Sequence, residues 1–152
     1  MQADLWTFAV ALYDRPGVAD DCLALQDQGA DVCLLLCGAW LEQRGAPPSA
    51  EAAAQLREIA EQWSGTVVGK LRELRRGWRE AAQADADLLR LREAVKGLEL
   101  QAERVLLERL QRCSAQWPTS AQRTSWLEAL APPKLKDAGG ALPRLRAAAS
   151  AT

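Results

Sequence analysis

The sequence predicts an all-α protein: a three-helix N-terminal cap packed on a long antiparallel helical hairpin, then a short C-terminal helix and a partly mobile tail. Three observations carry that prediction. Apolar residues recur at steps of three and four through two stretches of about 30 residues each, the signature of one helix face. Ala, Leu, Glu, Arg and Gln dominate the 152 residues, while Phe and Tyr occur once each, so helix formers far outnumber strand formers. The prolines at 16, 47–48, 118 and 132–133 fall outside the periodic stretches.

The elements follow in order. Asp4 caps a first helix from Leu5 to Tyr13, with Leu5, Phe8, Ala9 and Leu12 in one stripe and Trp6 and Tyr13 beside it. Asp14 to Gly17 reads as a turn. A second helix from Val18 to Gln28 buries Val18, Cys22 and Leu25, and Gly29 ends it. Asp31 caps a third, from Val32 to Gln43, which is apolar on nearly all sides and is therefore expected at the centre.

Gly45 to Pro48 is a linker, and Ser49 caps the first hairpin arm with Glu51 well placed in its first turn. That arm carries Leu56, Ala60, Trp63, Val67, Leu71, Leu74, Trp78 and Ala81. The phase survives Ser64 and Gly65, so one helix with a soft point is expected. Asp85 or Asp87 caps the second arm, which carries Leu88, Leu91, Val95, Leu98, Ala102, Leu106, Leu110, Cys113 and Trp117 before Pro118 stops it. Each arm spans roughly 45 Å. The connection near Gln83 to Ala86 is short, so the arms are antiparallel. A loop centred near Ala84 sets Gly69 opposite Gly97, either for close backbone approach or as plain weak helix.

Thr119 or Ser120 caps a last short helix with Trp126, Leu127 and Leu130, stopped by Pro132 and Pro133. The expected organisation is one helical domain over 1–131, made of a cap (4–44), a hairpin (49–117) and a short helix (120–131). A basic, partly mobile tail over 132–152 holds Lys134, Lys136, Arg144 and Arg146.

Charge is divided along the chain. Residues 1–64 hold 10 acids and 3 bases, and residues 65–152 hold 10 acids and 16 bases, within a net charge of -1. Such a dipole serves contacts within the chain, between subunits or with a charged partner. No secretory leader is legible at Met1 to Pro16, and the longest apolar run, Val32 to Leu41, is far short of the ~20 residues of a membrane helix. A cytoplasmic protein with no membrane association and reduced, buried cysteines is expected.

The opening run DLWTFAVALYDRPGVADDCLALQDQGADVCLLLCGAWL resembles the start of a family of uncharacterised hypothetical bacterial proteins of about this length. Trp6, Phe8, Tyr13, Pro16, Gly17, Cys22, Leu25, Gln26, Asp31, Val32 and Trp40 carry the likeness. Arg75, Arg76 and the stretch from Leu98 to Arg104 resemble its later signature, so the likeness covers roughly residues 4–112. The chain departs at Cys33, where the pattern has Asn, and in a shortened turn before Gly29. The resemblance implies no activity.

The chemistry-bearing residues narrow the function. Histidine is absent, which removes the commonest general base, the His-assisted nucleophiles and the commonest metal ligand. Cys33 and Cys37 share a helix face at i, i+4, but Cys22 and Cys113 supply no matching pair, so all four read as small buried hydrophobes. Gly65 to Leu71 is one residue short of a phosphate-binding loop, and Leu71 stands where a Ser or Thr would bind magnesium. Glu99 and Glu103 lie one turn apart and read as a solvated face, or as partners for bases on the facing arm.

The sharpest polar feature is Lys70, Arg72, Arg75, Arg76 and Arg79, with Trp78 interleaved. Arg72, Arg76 and Arg79 fall on one face at i, i+4, i+7, a candidate clamp for carboxylates or phosphates that Glu73 and Glu80 dilute. No cofactor, metal or catalytic residue is assigned. The expected function is a non-enzymatic protein-interaction module, an accessory or adaptor subunit. The alternative is an RNA- or ribosome-associated protein using the basic face. The apolar stripes are also compatible with a homodimer. An enzyme would need a pocket lined by Tyr13, Arg15 and Asp31 with shifted pKa values.

Overall fold

The computed structural model describes residues 3–137 and 139–152. Met1, Gln2 and Ala138, though within the expected domain and tail, lie outside the described residues. The described residues are helical, with no strand among them.

Three short helices open the chain: α1 (Leu5–Tyr13), α2 (Val18–Asp27) and α3 (Val32–Arg44). Asp4 caps α1 by accepting from the Thr7 amide at 2.8 Å, and Asp31 caps α3 by accepting from the Leu34 amide at 3.2 Å. Every residue from Cys33 to Glu42 is buried. That is the expected consequence of a helix apolar on all sides, and α3 touches α1, α2 and four of the helices that follow it. Gly45 ends α3 with φ 67°, and a Cβ there would collide with the backbone carbonyl of Ser120.

The hairpin follows. Its first arm is α4 (Ala50–Trp63), a π-helical turn (Ser64–Val68) and α5 (Gly69–Gly77); a 3₁₀ turn (Ala81–Gln83) leads to the second arm, α6 (Ala86–Ser114). Ser49 and Asp85 are the caps of α4 and α6. The soft point at Ser64 is the π-helical turn, and it corrects the predicted phase. A π turn accommodates one extra residue, so the buried position moves from Val67 to Val68, which is 3% exposed. Farther along, Ala82 rather than Ala81 is buried, and Leu74 is exposed. On α6 the inward face is Val95, Glu99, Ala102, Leu106 and Leu110. Leu91 and Leu98, expected in the stripe, face out.

The two hairpin glycines do not meet. A Cβ on Gly97 finds open space, whereas one on Gly69 would stand 2.6 Å from the Ser64 carbonyl oxygen. That oxygen accepts the Gly69 amide across the π turn. Gly69 is therefore a requirement of the π turn, and Gly97 an ordinary weak helix position. Gly97→Ala is expected to stabilise by about 1 kcal/mol in urea unfolding. Gly69→Ala is expected to destabilise, because the added methyl must displace backbone. Equal gains from both would refute this reading of the π turn.

The C-terminal part differs most from expectation. The short helix α7 covers only Leu127–Leu130. Ser120, expected as its cap, instead donates its amide to the Arg44 carbonyl at 3.2 Å. The tail expected to be partly mobile contains α8 (Ala141–Ser150), whose Ala141, Leu142, Leu145 and Ala149 are buried against α2, α3 and α7. Glycine and proline hid this helix in the sequence. Pro143 sits in its first turn, where a missing amide costs nothing, and Asp137 accepts from the Ala141 and Leu142 amides at 2.7 and 3.0 Å.

Candidate functional site

The head (α1 to α3) does not close fully on the hairpin. Between them lies a cleft of about 1090 Å³, walled by α1, α2 and the start of α3 on one side and by the π turn, α5 and α6 on the other. Its volume lies just above the ~300–1,000 Å³ range of small-molecule sites.

The polar side of the cleft is a network of charges. Arg75 meets Glu99 in a two-point contact, Nε to Oε2 at 2.6 Å and Nη2 to Oε1 at 3.1 Å. Arg72 reaches Glu99 at 3.3 Å and Glu103 at 3.7 Å. With its amide turned to pair, Gln26 of α2 accepts from Arg72 at 3.1 Å. Asp31 accepts from the Ser64 hydroxyl at 2.7 Å while capping α3, so the head and the π turn share one carboxylate. Arg92 donates to the Arg75 carbonyl at 2.8 Å and steadies the arm from behind.

The two glutamates respond in opposite directions. Burial pushes Glu99 up, but hydrogen bonds and charge from Arg75 and Arg72 outweigh it and hold the carboxyl below its ordinary range. For Glu103 burial leads, Glu99 and Asp31 add to it, and Arg72 and Arg75 do not compensate, so its pKa is raised. A carboxylate whose folded-state pKa is raised weakens the fold when ionised. That penalty is absent below the unfolded pKa of about 4.3 and develops as pH rises through the folded value. Glu103→Gln is accordingly expected to raise the thermal midpoint at pH 7 and leave it unchanged near pH 3. A lower midpoint at pH 7 would mean that the Arg72 contact dominates instead.

The structure separates the five predicted basic residues. Arg72 and Arg75 are half-buried and committed to Glu99 and Glu103. Arg76 lines the cleft. Lys70, Arg76 and Arg79 are exposed and make no ion pair among the described residues. Two of the five are thus tied into ion pairs and three stay exposed. Of the three residues that would line a catalytic pocket, Tyr13 and Asp31 line the cleft; Arg15 points elsewhere and donates to the Ala151 carbonyl at 2.9 Å. Glu99 and Glu103 are brought to the centre. Their signal was present: folding the arms about Asp85 to Asp87 sets this pair opposite Arg72 and Arg75.

Cys22 and Cys33 line the cleft, and Cys37 and Cys113 lie away from it. Cys22, Cys33 and Cys37 are buried and Cys113 is half-buried, all as free thiols. Burial pushes Cys22 up to about 12 and holds Cys33 well above the ordinary thiol range. These thiols therefore stay protonated and unreactive at neutral pH. Among the described residues no group of three or more Cys, Asp or Glu is arranged to hold a metal. No helix among them is long and apolar enough to cross a membrane.

A compact helical head against a π-interrupted hairpin, with an ion-paired cleft between them, defines the class of protein. Residues 4–110 match a family described as "Protein of unknown function (DUF2390)", and the chain belongs to that family. No curated protein and no solved structure matches the chain. Every cleft residue, from Trp6 to Leu107, falls inside the matched region, whereas α7 and α8 lie beyond it.

Proposed function

We propose that this chain is a non-enzymatic interaction module, an accessory or adaptor subunit, that seats part of a protein partner in the cleft. One observation carries the reading. Val10, Tyr13, Leu23 and Leu100 are large apolar side chains that are 41–56% exposed, and all four line this cleft. Exposed apolar side chains gathered around one groove mark a contact surface, whereas scattered ones mean nothing. The charged groups support the same reading. Asp31 is held by a helix cap and Ser64, and Glu99 by two arginines, so these carboxylates hold structure rather than move protons. Buried free thiols agree with a cytoplasmic site of action.

A second reading keeps RNA or a ribosome as the partner, favoured by the exposed Lys70, Arg76 and Arg79. The two are separated by affinity purification with mass spectrometry, with and without nuclease, using wild-type protein and a Leu23→Asp/Leu100→Asp variant. A protein retained after nuclease and lost from the variant is the expected result. Partners that disappear with nuclease and are indifferent to the variant would transfer the function to RNA.

A further inference from the structure

The cleft is long, mixed apolar and acidic along its rim and deficient in free positive charge. On the first hairpin arm its lining runs from Glu61 to Arg76, about 22 Å of helix at 1.5 Å per residue. That is four turns, a groove rather than a pit. Along α6 the lining residues Leu100, Glu103 and Leu107 share a face with Leu89, Glu93 and Lys96, at steps of three and four. Leu89 is exposed on this face toward the hairpin tip, separated from Leu100 by the Glu93–Lys96 ion pair.

The charge balance is one-sided. Six carboxylates line the cleft, from Asp14, Asp27, Asp31, Glu61, Glu99 and Glu103, against the guanidinium groups of Arg72, Arg75 and Arg76. Arg72 and Arg75 are engaged by Glu99 and Glu103, and Arg104 at the margin lies over the Trp6 ring, 4.9 Å from its centroid. Arg76 is the one lining cation without an ion pair among the described residues. Glu103, pushed up by burial and by neighbouring carboxylates, is a carboxylate that an added positive group would favour in its charged form.

Resting on the interaction-module reading, we infer that the occupant is a basic amphipathic helix of a partner protein. Its apolar face lies against Val10, Leu23 and Leu100, and a lysine or arginine reaches toward Glu103 and Asp31. A helix is about 10–12 Å across with its side chains, and helix-in-groove docking uses anchors at i, i+3, i+4 and i+7. Four turns of groove admit such a set. An acidic helix would meet four carboxylates not already engaged by arginine, and like-charge juxtaposition opposes it.

The test is selection from a displayed library of helical peptides randomised at their surface positions, against the full chain. Counter-selection uses the Leu23→Asp/Leu100→Asp variant. Both leucines are about half exposed, so the variant keeps the wild-type fold, which circular dichroism verifies. The expected pool alternates leucine-type anchors with lysine and arginine. Its members bind at least tenfold more weakly to the variant, and amide shifts on binding gather at α1, α2 and residues 99–107. Glu103→Gln is expected to weaken binding severalfold and to flatten its dependence on salt.

A pool rich in Asp and Glu would overturn the inference, as would failure to enrich or shifts confined to the outer face of α4. If a partner still depends on Leu23 and Leu100 in the affinity purification, the module reading stands and only the basic-helix assignment fails. If that dependence is missing too, both fail.

Discussion

Replacing Glu42 by alanine is expected to cost about 3–5 kcal/mol of unfolding free energy, a large share of a typical 5–15. Glu42 is 2% exposed. One of its oxygens accepts from the Trp126 and Leu127 amides at 2.6 and 2.9 Å, at the start of α7. Arg146 of α8 closes the arrangement with contacts at 2.8 and 2.9 Å and extends to Glu128 at 2.6 Å. Three elements far apart in sequence thus share one carboxylate. Removing it strands two buried amides and leaves the half-buried Arg146 with Glu128 alone. Arg146→Ala is also costly, because it leaves Glu42 buried without its counter-charge. The double variant should lose less than the two single losses combined, since neither charge is then left alone. Urea unfolding measures all three. A loss below about 1 kcal/mol for Glu42→Ala would show that the network contributes little.

Ending the chain after Asp137 should be comparably damaging. The deletion removes Leu142 and Leu145, 7% and 0% exposed, whose burial is worth roughly 3–6 kcal/mol together. It also removes Arg146 from Glu42 and Arg144 from Asp21, the latter a 2.7 Å contact. A truncated chain with a markedly lower thermal midpoint, or with no cooperative transition, is the expected outcome. An unchanged midpoint would mean that α8 contributes little to the fold. The deletion leaves every residue of the cleft in place, so any binding lost with it is lost through stability.

Much of this was legible in the chain itself. The caps Asp4, Asp31, Ser49 and Asp85 are short polar residues before apolar periodic runs, and each accepts amides of the first turn. The all-round apolarity of Val32 to Leu41 announced a central helix. These are local properties, decided within a few residues of sequence.

Of the candidate site, the run from Lys70 to Arg79 was visible as positive charge, but its fate was not. Whether an arginine is free or committed depends on what the facing arm brings to it, and Glu99 lies 24 residues from Arg75. The far wall of the cleft, Tyr13, Cys22 and Leu23, is supplied by helices with no local sign of facing the hairpin.

The sequence by itself determined the helical class, most helix starts and the hairpin, because hydrogen bonding and periodicity act over one or two turns. Tertiary structure decided the rest. It inserted the π turn that moved burial from Val67 to Val68. It folded a proline-bearing tail into the core by joining Arg146 to Glu42, 104 residues away. It left open the groove between head and hairpin. The docked tail and the committed arginines rest on side chains meeting across the fold, and such meetings are set by packing and charge between elements, beyond the reach of any local pattern.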